Sequence, residues 1–86
     1  MAIIALLTDF GNRDPYVGML KGVLAGIAPE TTIVDLSHDV ASFDIRSAAF
    51  ILERSQPHFP KGTVFLCVVD PGVGSDRKIL AAQAHG

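Results

Sequence analysis

The chain has 86 residues, enough for one small domain, and its hydrophobic share of 49% is generous for that size. Such a composition builds a core, or supplies faces that further chain would cover. A net charge of −2, with a pI of about 5.8, offers no basic patch for nucleic acid and no basic amphipathic helix for a membrane surface.

Ile3 to Thr8 is a continuous apolar run that ends in a polar group, the pattern of a buried strand. With Ala2 it is too short to span a membrane and lacks the charged flank of a signal peptide, so a cytoplasmic location is the default expectation. Asp9-Phe10-Gly11-Asn12-Arg13 reads as a loop. Asp14 suits an N-cap and Pro15 a first helical position, predicting a helix from Tyr16. Val17, Leu20, Leu24 and Ile27 recur at helical spacing, and Pro29 ends the helix. Gly18, Gly22 and Gly26 recur every fourth residue, which predicts close packing of this helix on a sheet.

Thr31 to Leu36 reads as a second strand, followed by the polar loop Ser37-His38-Asp39. Asp44 is a predicted N-cap for a second helix from Ile45 to about Arg54, with Ile45, Ala48, Ala49 and Leu52 as its apolar face. Pro57 and Pro60 bracket a loop. Thr63 to Val69 is a third strand, and Ile79 to Ala84 a fourth. Cys67, the only cysteine, sits inside the third strand and reads as a buried, inert thiol. It has no disulfide partner, and no cluster of residues suggests a metal or a cofactor.

Strand, helix, strand, helix, strand, strand is the order of an α/β domain with a mainly parallel sheet flanked by helices. Right-handed crossovers would bring Asp9, Ser37-His38 and Asp70 to one carboxyl edge, where open α/β sheets bind ligands. The richest stretch there is Val68-Val69-Asp70-Pro71-Gly72-Val73-Gly74-Ser75-Asp76-Arg77. A carboxylate ends a buried strand, glycines permit a sharp turn with bare N–H groups, and Arg77 supplies a fixed cation. The stretch suits a reaction centre, or a tight turn with a surface ion pair. It is neither a Walker loop nor a dinucleotide fingerprint, since no Gly-Lys-Ser/Thr follows and Arg77 stands where the third glycine belongs. Asp9 suits a ligand or a turn cap. His38 suits a catalyst or a hydrogen-bonded loop histidine, and Phe43 a stacking platform or a core or lid aromatic.

Taken together, Thr8-Asp9-Phe10-Gly11, Asp14-Pro15-Tyr16-Val17-Gly18, Lys21-Gly22-Val23, Asp35-Leu36-Ser37-His38-Asp39-Val40, Phe43-Asp44-Ile45, Phe59-Pro60-Lys61-Gly62-Thr63-Val64 and the Asp70 to Ser75 segment with Arg77 resemble the S-adenosyl-L-methionine hydroxide adenosyltransferase family. The resemblance runs along nearly the whole chain. It implies hydrolysis of S-adenosyl-L-methionine to adenosine and methionine, with no cofactor, by relatives of fluorinating and chlorinating enzymes.

The same resemblance implies residue roles. Asp70 and Arg77 resemble the first two members of the family's Asp-Arg-His water-activating set, whose histidine lies downstream of Gly86 rather than at His38. Asp9 is similar to the carboxylate that grips the ribose hydroxyls, Asp14 to an acidic position near the methionine end, and Phe43 to an aromatic lining the adenosyl pocket. Halogenating relatives carry Tyr in place of Asp70, and fluorinating ones Thr in place of Val73, so the resemblance favours water over halide. The family has a second, smaller β domain and a trimeric assembly, and the chain reads as an N-terminal portion (residues 1–86) of such a protein. The alternative reading is a non-catalytic truncated fragment, an adenosyl-binding or assembly module. Alone, the chain is expected to form homo-oligomers and to lack useful turnover.

Overall fold

The structure is a computed structural model that describes residues 2–41 and 44–69, and the backbone of residues 78–83. Four strands form one sheet in the order β2-β1-β3-β4: β1 (Ile3–Thr8), β2 (Thr32–Ser37), β3 (Val64–Val69) and β4 (Lys78–Gln83). β1 runs parallel to β2 and to β3, and β4 pairs antiparallel with β3. The helices α1 (Tyr16–Ile27) and α2 (Ile45–Ser55) fill the two crossovers, and a 3-10 turn at Gln56–His58 follows α2. This is the α/β order read from the sequence, with β2 displaced one residue later and β4 one residue earlier than predicted.

β1 is central, and its run of Ala5, Leu6, Leu7 and Thr8 is fully buried. A strand buried on both faces has no polar alternation to show, which is why it reads as a continuous apolar run. The crossover through α1 leads from β1 to one neighbour and that through α2 returns past β1 to the other. Right-handed connections therefore set the helices on opposite faces.

The α2 face is well closed. Leu7, Val40, Ala48, Cys67 and Val69 form a cluster with Leu36, Ile51 and Leu52 against it. Beside it Ala5 and Phe65 pack with Leu36, Leu52 and Phe59. Phe59 meets Phe65 edge to face, with ring centroids 5.3 Å apart. Asp44 caps α2 as predicted: its carboxylate accepts the Ser47 backbone N–H at 2.9 Å and the Ser47 hydroxyl at 2.7 Å. Those hydrogen bonds hold the Asp44 carboxyl below its ordinary pKa. The inward face of α2 is Ala48, Ile51 and Leu52, whereas Ile45 and Ala49 face outward, a rotation from the predicted stripe.

The α1 face is only partly closed. Val17 is the one buried residue of α1, with Leu20 and Leu24 half-buried. Tyr16, Met19, Val23 and Ile27 point outward, Ile27 being 75% exposed. The predicted packing of Gly18, Gly22 and Gly26 on the sheet does not occur: a Cβ at any of them would meet nothing within 4 Å. Gly18 and Gly22 follow the inward Val17 and Lys21 by one residue and Gly26 follows the inward Leu24 by two, and each residue turns a helix by about 100°. The glycines thus share the exposed side. The expected cap by Asp14 is also corrected. Pro15 holds the cap position, its carbonyl accepts Met19 N–H at 2.9 Å, and no side chain caps the helix. Asp14 lies one residue too early and is exposed.

Candidate functional site at the carboxyl edge of the sheet

Because β1, β2 and β3 are parallel, they deliver Thr8, Ser37 and Val69 to the same edge of the sheet. Backbone hydrogen bonds then tie the loop after β1 to both neighbours. Asp9 N–H donates to the Val68 carbonyl at 3.2 Å, Gly11 N–H to the His38 carbonyl at 2.6 Å, and Val40 N–H to the Thr8 carbonyl at 3.3 Å. Gly11 has φ of 72°, a conformation that a side-chain-bearing residue adopts at a cost. Phe10 in the same loop packs on Tyr16 at the start of α1, ring centroids 6.1 Å apart.

A chain of side-chain hydrogen bonds underlies this edge. The pairing of β1 with β2 shifts register between Leu6 and Leu7, so that Leu6 pairs with Asp35 and Leu7 with Ser37. Leu36 turns into the α2-side cluster, while Asp35 shares the face of Leu6 and meets α1. There Asp35 Oδ2 receives Lys21 Nζ at 2.6 Å, and Oδ1 lies 2.8 Å from His38 Nε2. His38 Nδ1 lies 2.7 Å from Thr8 Oγ1, and that oxygen accepts the Phe10 N–H at 3.2 Å. Burial alone would raise the Asp35 pKa, but the hydrogen bonds from Lys21 and His38, with the charge of Lys21, outweigh it and hold the carboxyl below its ordinary value. On the other face, burial pushes the Cys67 thiol up, and the negative charge of Asp9 adds to the effect. A thiol held protonated in the core is inert, as its setting in the sequence suggested.

The candidate residues divide accordingly. Asp9 stands at the carboxyl edge, half-buried, directly after Thr8, whose hydroxyl meets the buried His38. Asp14 is exposed at the far end of the same loop. Phe43, Asp70 and Arg77 lie outside the described residues, as does the whole glycine-rich loop; β3 carries the chain to the edge as far as Val69. His38 is the hydrogen-bonded histidine of the two readings open to it, with both ring nitrogens engaged. Among the described residues no group of His, Cys, Asp or Glu is arranged to hold a metal ion, and no helix is long and apolar enough to cross a membrane. A concavity of about 530 Å³ lies at the opposite edge, between Ala2 and the 28–31 segment, with Glu30 as the one ionisable side chain among its described lining residues. Its described lining offers no convergent polar side chains, in contrast to the hydrogen-bonded carboxyl edge.

The Lys21–Asp35–His38–Thr8 chain was not read from the sequence, although signals for it were present. Asp35 interrupts an apolar strand, and Lys21 interrupts the inward stripe of α1, four residues after Val17. Two opposite charges on apolar faces of successive elements suit each other.

An open α/β sheet with a stitched, carboxylate-bearing loop at its carboxyl edge belongs to the class that binds small molecules in the crevice there. The chain belongs to the S-adenosyl-L-methionine hydroxide adenosyltransferase family, whose N-terminal domain matches residues 4–86. It is 48% identical over 82 residues to a protein named (R)-S-adenosyl-L-methionine hydrolase from Thermus thermophilus, covering 95% of this chain and 32% of that protein. It is 41% identical over 81 residues to one of the same name from Salinispora tropica, covering 94% and 31%. A protein named fluorinase from an Actinoplanes species matches at 34% identity, covering 94% and 27%. A crystal structure of a conserved hypothetical protein from Thermus thermophilus superposes with a TM-score of 0.77 at 47% identity, covering 88% of this chain and 32% of that one. The chain therefore spans about a third of the length of these relatives.

Proposed function

We propose that this chain supplies the substrate-gripping and water-activating part of an enzyme that hydrolyses S-adenosyl-L-methionine to adenosine and L-methionine. The observation that carries the reading is the family membership along residues 4–86, joined to a carboxyl edge at which the Asp9 loop is fixed by backbone and side-chain bonds. Relatives named as hydrolases match at 48% and 41%, above the 34% of the Actinoplanes protein named fluorinase, which favours water as the nucleophile.

In this reading Asp9 binds the ribose hydroxyls, Asp14 lies toward the methionine end, and Phe43 lines the adenosyl pocket. Asp70 and Arg77 serve the water. The substrate's sulfonium makes the leaving group easy: as the C5′–S bond breaks, its electron pair returns to sulfur and methionine departs as a neutral thioether. The difficulty lies with the nucleophile, since bulk water has a pKa of about 15.7. A guanidinium that stays protonated favours hydroxide beside it, and a carboxylate orients the water and takes up its proton. Holding the oxygen in line behind C5′ and excluding solvent supply the rest of the acceleration. No resident cofactor enters this scheme.

The complete protein works, in this reading, as a homotrimer in the cytoplasm. The outward apolar side of α1, with Met19, Val23 and Ile27, supports association, and a lone buried thiol suits a reducing compartment. A trimer would complete the pocket with a neighbour's second domain. The test is incubation of a family-length protein carrying this chain with S-adenosyl-L-methionine, with and without chloride or fluoride. Adenosine and methionine are the expected products under all conditions, and 5′-halogenated adenosine at a comparable rate would overturn the choice of water.

A further inference from the structure

We propose that His38 is a positioning residue for the substrate site, acting through Thr8 on the loop that carries Asp9. That this loop meets substrate rests on the function proposed above; that His38 orders it does not.

The direction of each hydrogen bond follows from which atom carries a proton. The Asp35 carboxylate only accepts, so His38 Nε2, 2.8 Å from it, carries the ring proton. Nδ1 of the neutral ring is then an acceptor, and the Thr8 hydroxyl 2.7 Å away donates to it. This leaves the lone pairs of Thr8 Oγ1 aimed away from the ring, where Phe10 N–H donates at 3.2 Å. Thr8 is fully buried and His38 is 4% exposed, so solvent does not compete for these atoms. Lys21 holds the other oxygen of Asp35 and so fixes the carboxylate that selects the ring proton. The chain of bonds thus begins in α1, passes through the end of β2, and ends on the amide next to Asp9. His38 also grips the same loop by its backbone, through Gly11 N–H at 2.6 Å. A histidine that merely filled the core would stabilise the sheet as a whole. One that directs the Thr8 hydroxyl orders this loop in particular.

The experiment uses nitrogen-15 NMR and amide hydrogen exchange on the chain, with His38→Leu, His38→Gln and Asp35→Asn variants. The ring is expected as the Nε2–H form. In His38→Leu, Phe10 exchange should speed up by about tenfold relative to the β3 amides, the loss of one well-directed hydrogen bond. His38→Gln keeps a donor and an acceptor on one planar group and should restore most of the protection. If His38→Leu does not fold, Asp35→Asn, which leaves the ring in place, should still loosen Phe10 selectively. An Nδ1–H ring, or exchange at Phe10 that rises no more than in β3, overturns the proposal. Titration of a family-length protein with S-adenosyl-L-methionine separates the two claims. Affinity falling in step with Phe10 protection supports positioning for substrate. No binding by the wild type, with the loop signature intact, overturns the substrate reading and the substrate half of this proposal, leaving His38 as the residue that orders the loop.

Discussion

Lys21 Nζ stands 2.6 Å from Asp35 Oδ2, and this ion pair joins α1 to the carboxyl end of β2. Both side chains are more than a third exposed, at 38% and 40%, so the pair adds little to stability by itself. Its importance lies in geometry, because the second oxygen of the same carboxylate meets His38.

The depressed pKa of Asp35 sets a pH window. A carboxyl held below its unfolded value, near 3.8, contributes stability that is present above that value and is lost as pH falls through the folded one. Denaturant midpoints of wild type and Asp35→Asn should differ by a small constant amount from pH 5 to 8, less than about 1 kcal/mol at this exposure. The two curves should converge in acid below the ordinary carboxyl range. A difference that grows in acid would show that Asp35 is not held in its charged form.

Gly11 adopts φ of 72° with open space where a Cβ would be, so replacement strains only the backbone. Gly11→Ala should destabilise the chain by about 1 kcal/mol. That corresponds to a melting shift of roughly 4–8 °C for a domain of this size, and Gly11→Asn should cost less. Equal costs for the two would place the penalty in packing rather than in the left-handed conformation.

The two sides of α1 should respond differently to substitution. Leu6, beneath the helix, is fully buried, and Leu6→Ala should cost about 2–5 kcal/mol. Ile27 is 75% exposed, and Ile27→Ser should change stability by no more than about 0.5 kcal/mol. Thermal denaturation of both variants in dilute solution checks this. A large loss at Ile27 under those conditions would reveal that a second copy covers the helix.

The sheet was legible because its strands are buried on both faces: Ile3–Thr8 and Val64–Val69 leave continuous apolar runs with few competing readings. Parallel order followed from the intervening helices, and with it the edge shared by Thr8, Ser37 and Val69. The glycine spacing of α1 misled, because a period of four fixes a stripe but not the side on which the sheet lies. Asp14 misled as a cap because Pro15 can hold that position itself. The Lys21–Asp35–His38–Thr8 chain joins residues 14 and 30 apart in sequence, and it depends on a register shift that no local pattern announces. Phe43, Asp70 and Arg77 received their roles through family resemblance, and they lie outside the described residues.

Asp9 should act on the ribose end of the substrate. In a family-length protein, Asp9→Asn removes the charge that, in the proposed role, would strengthen hydrogen bonds to two hydroxyls. Adenosine affinity should fall by at least about tenfold, while methionine affinity changes little. Calorimetric titration with each ligand separately checks the split. An equal loss for both would indicate collapse of the loop, and no loss for adenosine would remove Asp9 from the ribose site.

The most direct test of the account is turnover of S-adenosyl-L-methionine by a family-length protein in heavy-oxygen water. Attack by water at C5′ forms the new C5′–O bond, so mass spectrometry should find one heavy oxygen in adenosine and none in methionine. Asp70→Ala and Arg77→Ala should each reduce the rate strongly. Unlabelled adenosine, or no adenosine from a folded and substrate-saturated enzyme, would contradict the central claim that this family member directs water onto C5′.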